Sequence, residues 1–443
     1  MIKIGFIHLG CAKNQIDSEL MLALLKQNDC ELLDEYCDAD VVVINTCGFI
    51  ESAKVEAIEN IVEVIALKNE GRVGGIVVCG CLSERYKEEI EEQFPEVDCF
   101  LGTGSYKSIV TAVKAAYNKT KYCEFAAKEA HIIEGDRIIT TQLPTAYIKI
   151  SEGCDNCCSY CAIPLIRGKF RSRTIESIVA EAKHLASIGV RELIVIAQDT
   201  TRYGEDIYNK KALPELLQKL AEIREFVWIR VMYLYPDRVT DELLYVIAKN
   251  DNIINYIEMP IQHASGKILK DMNRMGNEKT LLATIQKIRD TIPNVVLRTT
   301  IMVGFPGETE NDFEILYEFL KKANIEKIGA FTFSPEENTK AATMPNQIDD
   351  DTKQRRYEAV MDLAETISID NLCKRKGQTL TVLVEGYDKY IKSYFGRSYM
   401  DAPEIDGKVF FTAKNPPNLG DFVLVTIDDY DNYDLYGKLK ETV

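Results

Sequence analysis

Runs of apolar residues alternate with amphipathic segments along the N-terminal quarter of the chain. The runs predict three buried strands, at residues 2–9, 41–44 and 75–79. Between and after them, apolar residues recur every three or four positions and predict helices at about 14–27, 52–68 and 83–93. Strands that are apolar on both faces and alternate with helices are typical of parallel sheets covered on both sides. The sequence therefore predicts an α/β chain whose first domain, residues 1–117, is a doubly wound parallel sheet.

A second series of strands and helices occupies residues 140–370, after a less patterned linker at 121–143. Its predicted strands are 146–150, 193–197, 228–232, 256–260, 295–303 and 329–333. Helical periodicity fills the intervals, at 175–187, 213–224, 241–250, 278–291 and 311–322. These six strand–helix units are fewer than the roughly eight that close a barrel. The pattern therefore predicts an open, partial (βα)6 barrel with a lateral mouth that a macromolecular substrate could enter.

The last part of the chain has a different pattern. A long, charged amphipathic helix is predicted at about 349–376. After it, strands predicted at 379–385, 409–412 and 422–427 are separated by turns rich in glycine. Short strands with such turns favour a small β-barrel, which would occupy residues 373–441.

Charge and hydropathy narrow the classes of function. The chain has 53 basic and 69 acidic residues, a net charge of −16, which argues against broad binding to a phosphate backbone. From residue 376 onward, acidic residues also outnumber basic ones by three. No apolar run approaches the ~18 residues of a membrane span, and no basic segment precedes a long apolar stretch at the N-terminus. We therefore expect a cytoplasmic protein without a membrane partner.

Four of the thirteen cysteines lie within eight residues, directly after the first predicted strand of the partial barrel. Cys154, Cys158 and Cys161 have the spacing C-x3-C-x2-C, which lets three thiolates hold three irons of a four-iron cluster. The fourth iron is then open and can chelate the amino and carboxylate groups of a methionine. Cys157 leaves two alternatives, a ligand set that contains it instead of Cys158 and a four-cysteine zinc site. Zinc sites normally use two separated C-x2-C pairs, and no second pair follows here.

Cys11, Cys47 and Cys81 are far apart in sequence, yet each comes just after a predicted strand of the first domain. The carboxyl ends of parallel strands lie at one edge of a sheet, where loops converge and ligands bind. Three thiols could therefore meet there. Three unrelated buried cysteines are the alternative, and position alone does not decide between the two interpretations.

Beyond spacing, the residues around these cysteines resemble a known family. A C-x3-C-x2-C loop after the first strand of a six-unit partial barrel resembles the radical S-adenosylmethionine superfamily. Within that superfamily, several strings resemble the methylthiotransferases: 9–19 with LGC, KN and DSE, 45–50 (NTCGFI), 80–82 (GCL), 163–173 (IPLIRGKFRSR) and 303–309 (VGFPGET). The resemblance covers nearly the whole chain and implies a methylthiotransferase N-terminal domain, a radical core and a TRAM domain, in that order. It also implies that Cys11, Cys47 and Cys81 carry a second 4Fe-4S cluster with its own open iron.

Two branches of this family act on different substrates, an adenosine of transfer RNA or an aspartate of small-subunit ribosomal protein S-twelve. Cys47 followed by GFI resembles the ribosomal-protein branch, as do 198–204 (QDTTRYG), 260–264 (PIQHA) and 401–407 (DAPEIDG). The transfer-RNA branch would be expected to carry a more basic TRAM domain, so transfer RNA is not the expected partner. Two residues depart from the family pattern: Ala12, where proline is usual, and Cys157, where a non-cysteine residue is expected.

The resemblance implies a radical mechanism with two S-adenosylmethionine molecules and both clusters. One electron, from an electron donor, cleaves one molecule at the Cys154/Cys158/Cys161 cluster, and the 5′-deoxyadenosyl radical removes hydrogen from the aspartate β-carbon. A methylthio group then joins that carbon; it is assembled from a sulfide source at the other cluster and a methyl of the second molecule. Both clusters must then face one water-poor cavity.

Three further residues are candidate cofactor contacts. Gln198 and Asp199 end the second barrel strand, at the face where barrel ligands bind. Capping of the following loop is the alternative for both. Gly304 lies in a strand-to-helix turn that could shape the cofactor site or serve backbone conformation alone. An alternative of another class for the whole chain is a non-catalytic iron–sulfur or RNA-binding scaffold.

Overall fold

A computed structural model describes residues 1–128 and 134–440; part of the predicted linker, 129–133, lies outside the described residues. The first domain contains a six-stranded parallel sheet in the order β2-β1-β3-β4-β5-β6. Its strands are β1 (Ile2–His8), β2 (Cys30–Leu32), β3 (Val41–Thr46), β4 (Gly75–Gly80), β5 (Cys99–Leu101) and β6 (Tyr122–Glu124). Its helices are α1 (Ala12–Lys26), α2 (Glu51–Asn69), α3 (Cys81–Gln93) and α4 (Ile109–Tyr117). The predicted doubly wound parallel sheet is confirmed. The sequence pattern missed β2, β5 and β6, because three residues are too few to show a period.

The second domain is a parallel sheet of six strands in the order β14-β13-β12-β11-β10-β7, which confirms the partial barrel. Its strands are β7 (Thr145–Lys149), β10 (Glu192–Ile196), β11 (Trp228–Val231), β12 (Ile253–Glu258), β13 (Val296–Val303) and β14 (Lys327–Thr332). A separate pair, β8 (Ser151–Glu152) and β9 (Arg171–Ser172), brackets the cysteine-rich loop. The helices are α5 (Ile163–Arg167), α6 (Ile175–Ser187), α7 (Glu205–Tyr208), α8 (Leu213–Ala221), α9 (Asp241–Lys249), α10 (Gly266–Asp271), α11 (Glu278–Thr291) and α12 (Glu310–Ala323).

A 24-residue helix, α13 (Asp350–Cys373), leads into a closed five-stranded barrel of order β15-β16-β17-β19-β18. The strands are β15 (Thr379–Asp388), β16 (Ser393–Ser398), β17 (Val409–Thr412), β18 (Phe422–Tyr430) and β19 (Leu435–Leu439). Three of them match the predicted strands. The predicted small β-barrel is confirmed. No helix among the described residues is both long and apolar enough to cross a membrane.

The two faces of the six-stranded sheet have different partners. Because side chains alternate along a strand, one face packs under its own helices through residues such as Leu193, Val195 and Ile229. The other, concave face contributes Ile194, Ile196, Trp228, Met232, Ile254 and Tyr256 to a core shared with α1 and the C-terminal barrel. Residues of both flanking domains therefore pack against the concave face of the partial barrel. The carboxyl ends of its strands are left for a functional site.

Candidate functional site

The cysteine-rich loop begins at β8 and turns sharply before α5. Gly153 has φ +73°, and a Cβ at that position would collide with the Lys169 carbonyl, so the turn requires glycine. Cys161 N donates to the carbonyl oxygen of Cys158 at 3.0 Å and closes the second half of the loop. The charges of Cys154 and Cys158 both influence the Cys161 thiol, so the structure brings these three thiols together.

Cys157 differs from its neighbours. It has a left-handed backbone, φ +49°, and is exposed, whereas Cys154 and Cys158 are buried. A ligand set of Cys154, Cys158 and Cys161 therefore fits the local geometry better than a set that contains Cys157.

Burial raises the pKa of Cys154 to about 11 and raises the pKa of Cys161 as well. Such thiols ionise only when a cation replaces the proton, so iron binding here must release protons. Two polar side chains lie next to Cys158. The Tyr235 hydroxyl lies 3.1 Å from its Sγ, and the Arg274 guanidinium, stacked over the Tyr235 ring, lies 3.9 Å away.

The second group of thiols forms at the strand ends of the first domain. Cys11 precedes α1, Cys47 follows β3 and Cys81 begins α3 directly after β4. A Cβ at Gly10, which has φ +98°, would lie 2.7 Å from the Cβ of Cys47, so glycine allows these two loops to approach. Cys47 and Cys11 both act electrostatically on Cys81, so the three thiols lie near one another at this edge of the sheet.

The electrostatics differ within this second group. Burial raises the pKa of Cys81 to about 12 and also raises that of Cys47. Desolvation opposes the ionisation of Cys11 too, but the cations of Lys13 and Arg167 outweigh it and lower the Cys11 pKa. Cys11 is therefore the thiol of this group most prepared to bind metal as a thiolate.

Arg167 connects the two domains beneath the thiols. Its Nη1 donates to Asp17 Oδ2 at 2.8 Å and to Glu152 Oε1 at 3.1 Å, and its Nη2 lies 3.5 Å from Cys81 Sγ. Lys149 Nζ adds contacts to Asp17 at 2.5 Å and to Glu152 at 2.6 Å. Two cations and two carboxylates, all buried, thus balance one another across the domain boundary. Sequence motifs contained Asp17 and Arg167 but gave no sign that they meet.

The segment after β11 relates the two groups of thiols to each other. Tyr235 contacts Cys158, as described above, while Tyr233 is an electrostatic neighbour of Cys11 and lies beneath Lys13. Leu234 between them is fully buried in the opposite face of the sheet. Two side chains of one short segment therefore face one group of thiols each, so that both groups border the same region above the concave face.

Asp199 and Gln198, two of the three candidate cofactor contacts, differ in whether their side chains already have hydrogen-bond partners. Asp199 is fully buried, and its Oδ1 accepts a hydrogen bond from Thr201 N at 3.0 Å, which caps the loop after β10. Its Oδ2 accepts one from Asn156 Nδ2 at 2.7 Å, so Asp199 also fixes the cysteine-rich loop. The amide of Gln198 is buried, and neither its oxygen nor its nitrogen has a partner among the described residues. Gln198 is therefore the residue of this pair that is available for a ligand.

Gly304 lies in the turn after β13 with φ +74°. Its N–H donates to Glu308 Oε2 at 2.7 Å, and Phe305 N donates to the same oxygen at 3.1 Å. A Cβ on Gly304 would collide with Lys353 of α13. The turn is thus held from within by Glu308, and Arg356 pairs with the other carboxylate oxygen at 3.0 Å.

Two residues near this turn were not assigned a role from the sequence. Burial raises the pKa of Glu308 to about 7. His263 is fully buried; burial lowers its pKa to about 3, and its Nδ1 accepts a hydrogen bond from Ser265 N. Its Nε2 lies 3.8 Å from Glu308 and has no hydrogen-bond partner among the described residues. In the sequence, the one indication of a role for these two residues was their position in the motifs at 260–264 and 303–309.

Across residues 1–128 and 134–440, no three His, Cys, Asp or Glu side chains are arranged to hold a single metal ion. A four-iron cluster binds each thiolate at a separate iron, so it does not require that convergence. Soft thiolates are the ligands that iron–sulfur clusters use, and both groups of thiols supply three of them.

Three family models match successive parts of the chain. They are the uncharacterized protein family UPF0004 over residues 3–102, the radical SAM superfamily over 148–320 and the TRAM domain over 377–439. Each matches one of the three folded units described above.

Curated relatives match the chain along its whole length. Ribosomal protein uS12 methylthiotransferase RimO of Clostridium acetobutylicum is 45% identical over 439 residues, which are 98% of either chain. The protein of the same name from Desulforamulus reducens is 47% identical over 444 residues, with 100% of both chains covered. A third, from Clostridioides difficile, is 46% identical and covers 99% of this chain and 98% of its own.

Solved structures share the fold at low sequence identity. The radical S-adenosylmethionine methyltransferase TsrM of Kitasatospora setae, solved with cobalamin and a [4Fe-4S] cluster, aligns with a TM-score of 0.57 at 12% identity. The alignment covers 86% of this chain and 80% of TsrM. The cobalamin-dependent radical enzyme OxsB aligns with a TM-score of 0.53 at 12% identity over 83% of this chain and 56% of its own. These likenesses bear on the fold alone.

Proposed function

The chain belongs to the family of ribosomal protein uS12 methylthiotransferases, and we propose that it methylthiolates the β-carbon of an aspartate in small-subunit ribosomal protein S-twelve (uS12). Relatives with that name support this choice of substrate, since two of them are 45% and 47% identical to the chain and cover 98% and 100% of it. The reaction class is that of a radical S-adenosylmethionine enzyme with two 4Fe-4S clusters.

One structural observation supports the proposal: Tyr235 contacts Cys158 of one thiol group, and Tyr233 of the same short segment is an electrostatic neighbour of Cys11 in the other group. Cys154, Cys158 and Cys161 lie on the barrel side. The first domain supplies the other group, Cys11, Cys47 and Cys81. A reaction that breaks an unactivated C–H bond and then inserts sulfur at the same carbon needs both reagents within reach of one substrate atom.

When bound, the two clusters and S-adenosylmethionine supply the reducing electron, the hydrogen-abstracting radical and the methylthio group. The side chains of this protein bind, orient and shield those groups. Arg274 and Tyr235 place positive charge and a hydroxyl against Cys158, and Arg167 places positive charge against Cys81. Gln198 offers an amide without a partner in the part of the chain that the structure describes, and Gly304 shapes the turn at the strand ends, so both are proposed cofactor contacts.

The remaining expectations complete the proposal. We assign three domains at residues 1–117, 140–370 and 373–441, with β6 continuing the first sheet beyond residue 117, and we place the protein in the cytoplasm with its ribosomal substrate. An electron donor and a sulfide source are required as partners by the stoichiometry of the reaction. The acidic C-terminal barrel suits a basic ribosomal protein better than a nucleic acid.

The decisive experiment offers two substrates in parallel to anaerobically reconstituted protein with S-adenosylmethionine, a reductant and sulfide. One is uS12 and the other is bulk transfer RNA, and mass spectrometry weighs both products. We expect a methylthio gain on an aspartate of uS12. A gain on adenosine alone would move the chain to the other substrate class, and no cleavage of S-adenosylmethionine at all would favour the non-catalytic scaffold.

Variants of single cysteines test the ligand assignment. Cys154→Ala is expected to lower bound iron by about half and to abolish 5′-deoxyadenosine formation, because one cluster loses a ligand. Cys11→Ala is expected to lower iron similarly and to stop sulfur insertion, while cleavage of S-adenosylmethionine continues. Cys157→Ala is the matched control in the same loop and should retain full iron. Loss of iron from Cys157→Ala, with retention by a Cys158→Ala variant, would reverse the assignment of these two cysteines.

A further inference from the structure

Lys13 has an ammonium that contacts an aromatic ring and forms no close ion pair with a carboxylate of the described residues. It lies in the first turn of α1, two residues after Cys11, and is half-buried. Its Nζ lies 3.4 Å from the centroid of the Tyr233 ring, a cation–π contact between the first domain and the barrel. Within the part of the chain that the structure describes, no carboxylate oxygen lies within 4 Å of this ammonium.

Nearby carboxylates are already occupied by other partners. Glu258, the acidic neighbour on the barrel side, accepts a hydrogen bond from Tyr233 N at 2.6 Å and lies 3.7 Å from Arg298. On the other side, Glu152 pairs with Lys149 and Arg167. Lys13 thus lies within electrostatic reach of both carboxylates, and among the described residues it forms a close ion pair with neither.

The backbone of Tyr233 is held in a strained conformation that fixes its ring under Lys13. Its φ is +62°, a left-handed value that a tyrosine rarely adopts. The Tyr233 N–H donates a hydrogen bond to the Glu258 carboxylate, and the Tyr233 carbonyl accepts one from Thr200 N at 3.2 Å. The strain is therefore maintained by specific contacts, and its effect is to place an aromatic face beneath the ammonium.

We propose that Lys13, supported by the Tyr233 ring, binds the side-chain carboxylate of the substrate aspartate. The inference rests on the proposed function, in which the β-carbon of that aspartate reacts. The carboxylate carbon is bonded directly to the β-carbon, so a cation that fixes the carboxylate also fixes the reacting atom. Lys13 follows the Cys11 thiol and lies over the segment that reaches Cys158, so the bound β-carbon is held between the two groups of thiols.

An anionic sulfur species near Cys11 is the other ligand whose chemistry would suit this cation. The two ligands predict different behaviour when the substrate is changed. If Lys13 binds the substrate carboxylate, an aspartate-to-asparagine change in uS12 weakens binding only while Lys13 is present. If Lys13 binds sulfur, that change has the same effect with or without Lys13.

The test measures the dissociation constant of labelled uS12 for the full chain with both clusters reconstituted and S-adenosylmethionine present, but without reductant. The aspartate is first mapped by mass spectrometry as the residue that the wild-type enzyme modifies, and a uS12 variant carries asparagine there. For wild-type protein we expect asparagine to weaken binding about 30-fold, the value of a charge-assisted hydrogen bond in a desolvated site. For Lys13→Met we expect a difference below about 3-fold.

Two further variants make the result interpretable. Lys26→Met removes an exposed lysine from the last turn of the same helix. This variant should keep the wild-type difference in affinity between uS12 with aspartate and uS12 with asparagine. Lys13→Gln repeats the charge removal with a polar side chain, in case methionine perturbs iron content. Discrimination that persists in both Lys13 variants, or that is absent from wild-type protein, overturns the proposal. Absence of any methylthio product on uS12 overturns instead the function on which it rests.

Discussion

Replacing Arg397 with methionine is expected to loosen the C-terminal barrel from the partial barrel. The Arg397 side chain is buried, and its Nη1 and Nη2 donate to the two oxygens of Glu192 at 3.1 and 2.6 Å. Its Nε donates to Glu385 at 2.6 Å. Glu192 is fully buried at the start of β10, so loss of Arg397 leaves a buried carboxylate whose one remaining ionic partner among the described residues is Arg230, at 3.2 Å.

The magnitude can be worked from this geometry. Removing one member of a buried ion pair typically costs about 3–5 kcal/mol. Burial opposes ionisation of Glu192, but Arg397 and Arg230 outweigh it and lower its pKa from 4.5 to about 2. A difference of that size corresponds to about 3 kcal/mol at neutral pH. Because Arg230 retains part of the effect, we expect Arg397→Met to lower the free energy of unfolding by about 2–3 kcal/mol.

The chain contains a suitable reporter, since its single tryptophan lies at this interface. Trp228 packs edge-to-face on Phe422 of the C-terminal barrel with ring centroids 4.8 Å apart. Urea unfolding followed by tryptophan fluorescence therefore reads the interface directly. Lys438→Met, which breaks an exposed ion pair with Asp428 in the same barrel, is the control and should cost less than about 1 kcal/mol.

The dependence on pH gives a second readout. A carboxylate with a depressed pKa stabilises the fold above its ordinary value of 4.5, and this stability is lost as pH falls through about 2. The deficit of Arg397→Met should thus be full at pH 7 and shrink below pH 5. A deficit no larger than that of Lys438→Met, or one independent of pH, would refute the reasoning about Glu192.

Three further predictions concern the strand-end turns. Burial raises the Glu308 pKa to about 7, and a carboxyl with a raised pKa loses stability as pH rises through that value. Between pH 5 and pH 8 the unfolding free energy of wild type should therefore fall by about 2 kcal/mol compared with that of Glu308→Gln. Gln198→Leu should weaken S-adenosylmethionine binding about tenfold by calorimetry without lowering the stability of the cluster-free protein, because its buried amide has no partner among the described residues. Gly304→Ala should cost more than about 2 kcal/mol in urea unfolding, since strain at φ +74° is joined by a collision with Lys353.

A specific result would contradict each of these three predictions. Parallel pH profiles for wild type and Glu308→Gln would show that Glu308 does not titrate near neutrality. Unchanged cofactor affinity in Gln198→Leu would remove that residue from the cofactor site. For Gly304, the matched change is Gly71→Ala, where φ is +77° but nothing lies within 4 Å; equal costs at both positions would leave no role for the collision.

Local patterns determined much of this protein. Apolar runs and helical periods gave both parallel sheets, because burial on two faces leaves a continuous signature in a strand. The spacing of Cys154, Cys158 and Cys161 pointed to one loop, and the strand-end positions of Cys11, Cys47 and Cys81 pointed to one edge of a sheet. The structure places the thiols of each group within electrostatic reach of one another, and their role as cluster ligands stays a prediction. Strands of three residues were missed, since their stability comes from neighbours that a local window does not contain.

Only the tertiary structure decided which polar side chains are already paired. Gln198 and Asp199 are adjacent in sequence, yet Asp199 is satisfied by Thr201 and Asn156, whereas the Gln198 amide has no partner among residues 1–128 and 134–440. Likewise, Lys13 meets Tyr233 across a domain boundary. Whether a charge is neutralised depends on partners tens to hundreds of residues away, and no spacing rule encodes such contacts. Sequence patterns thus determined the elements and pointed to the thiols, and the fold determined which polar groups find a partner within the chain.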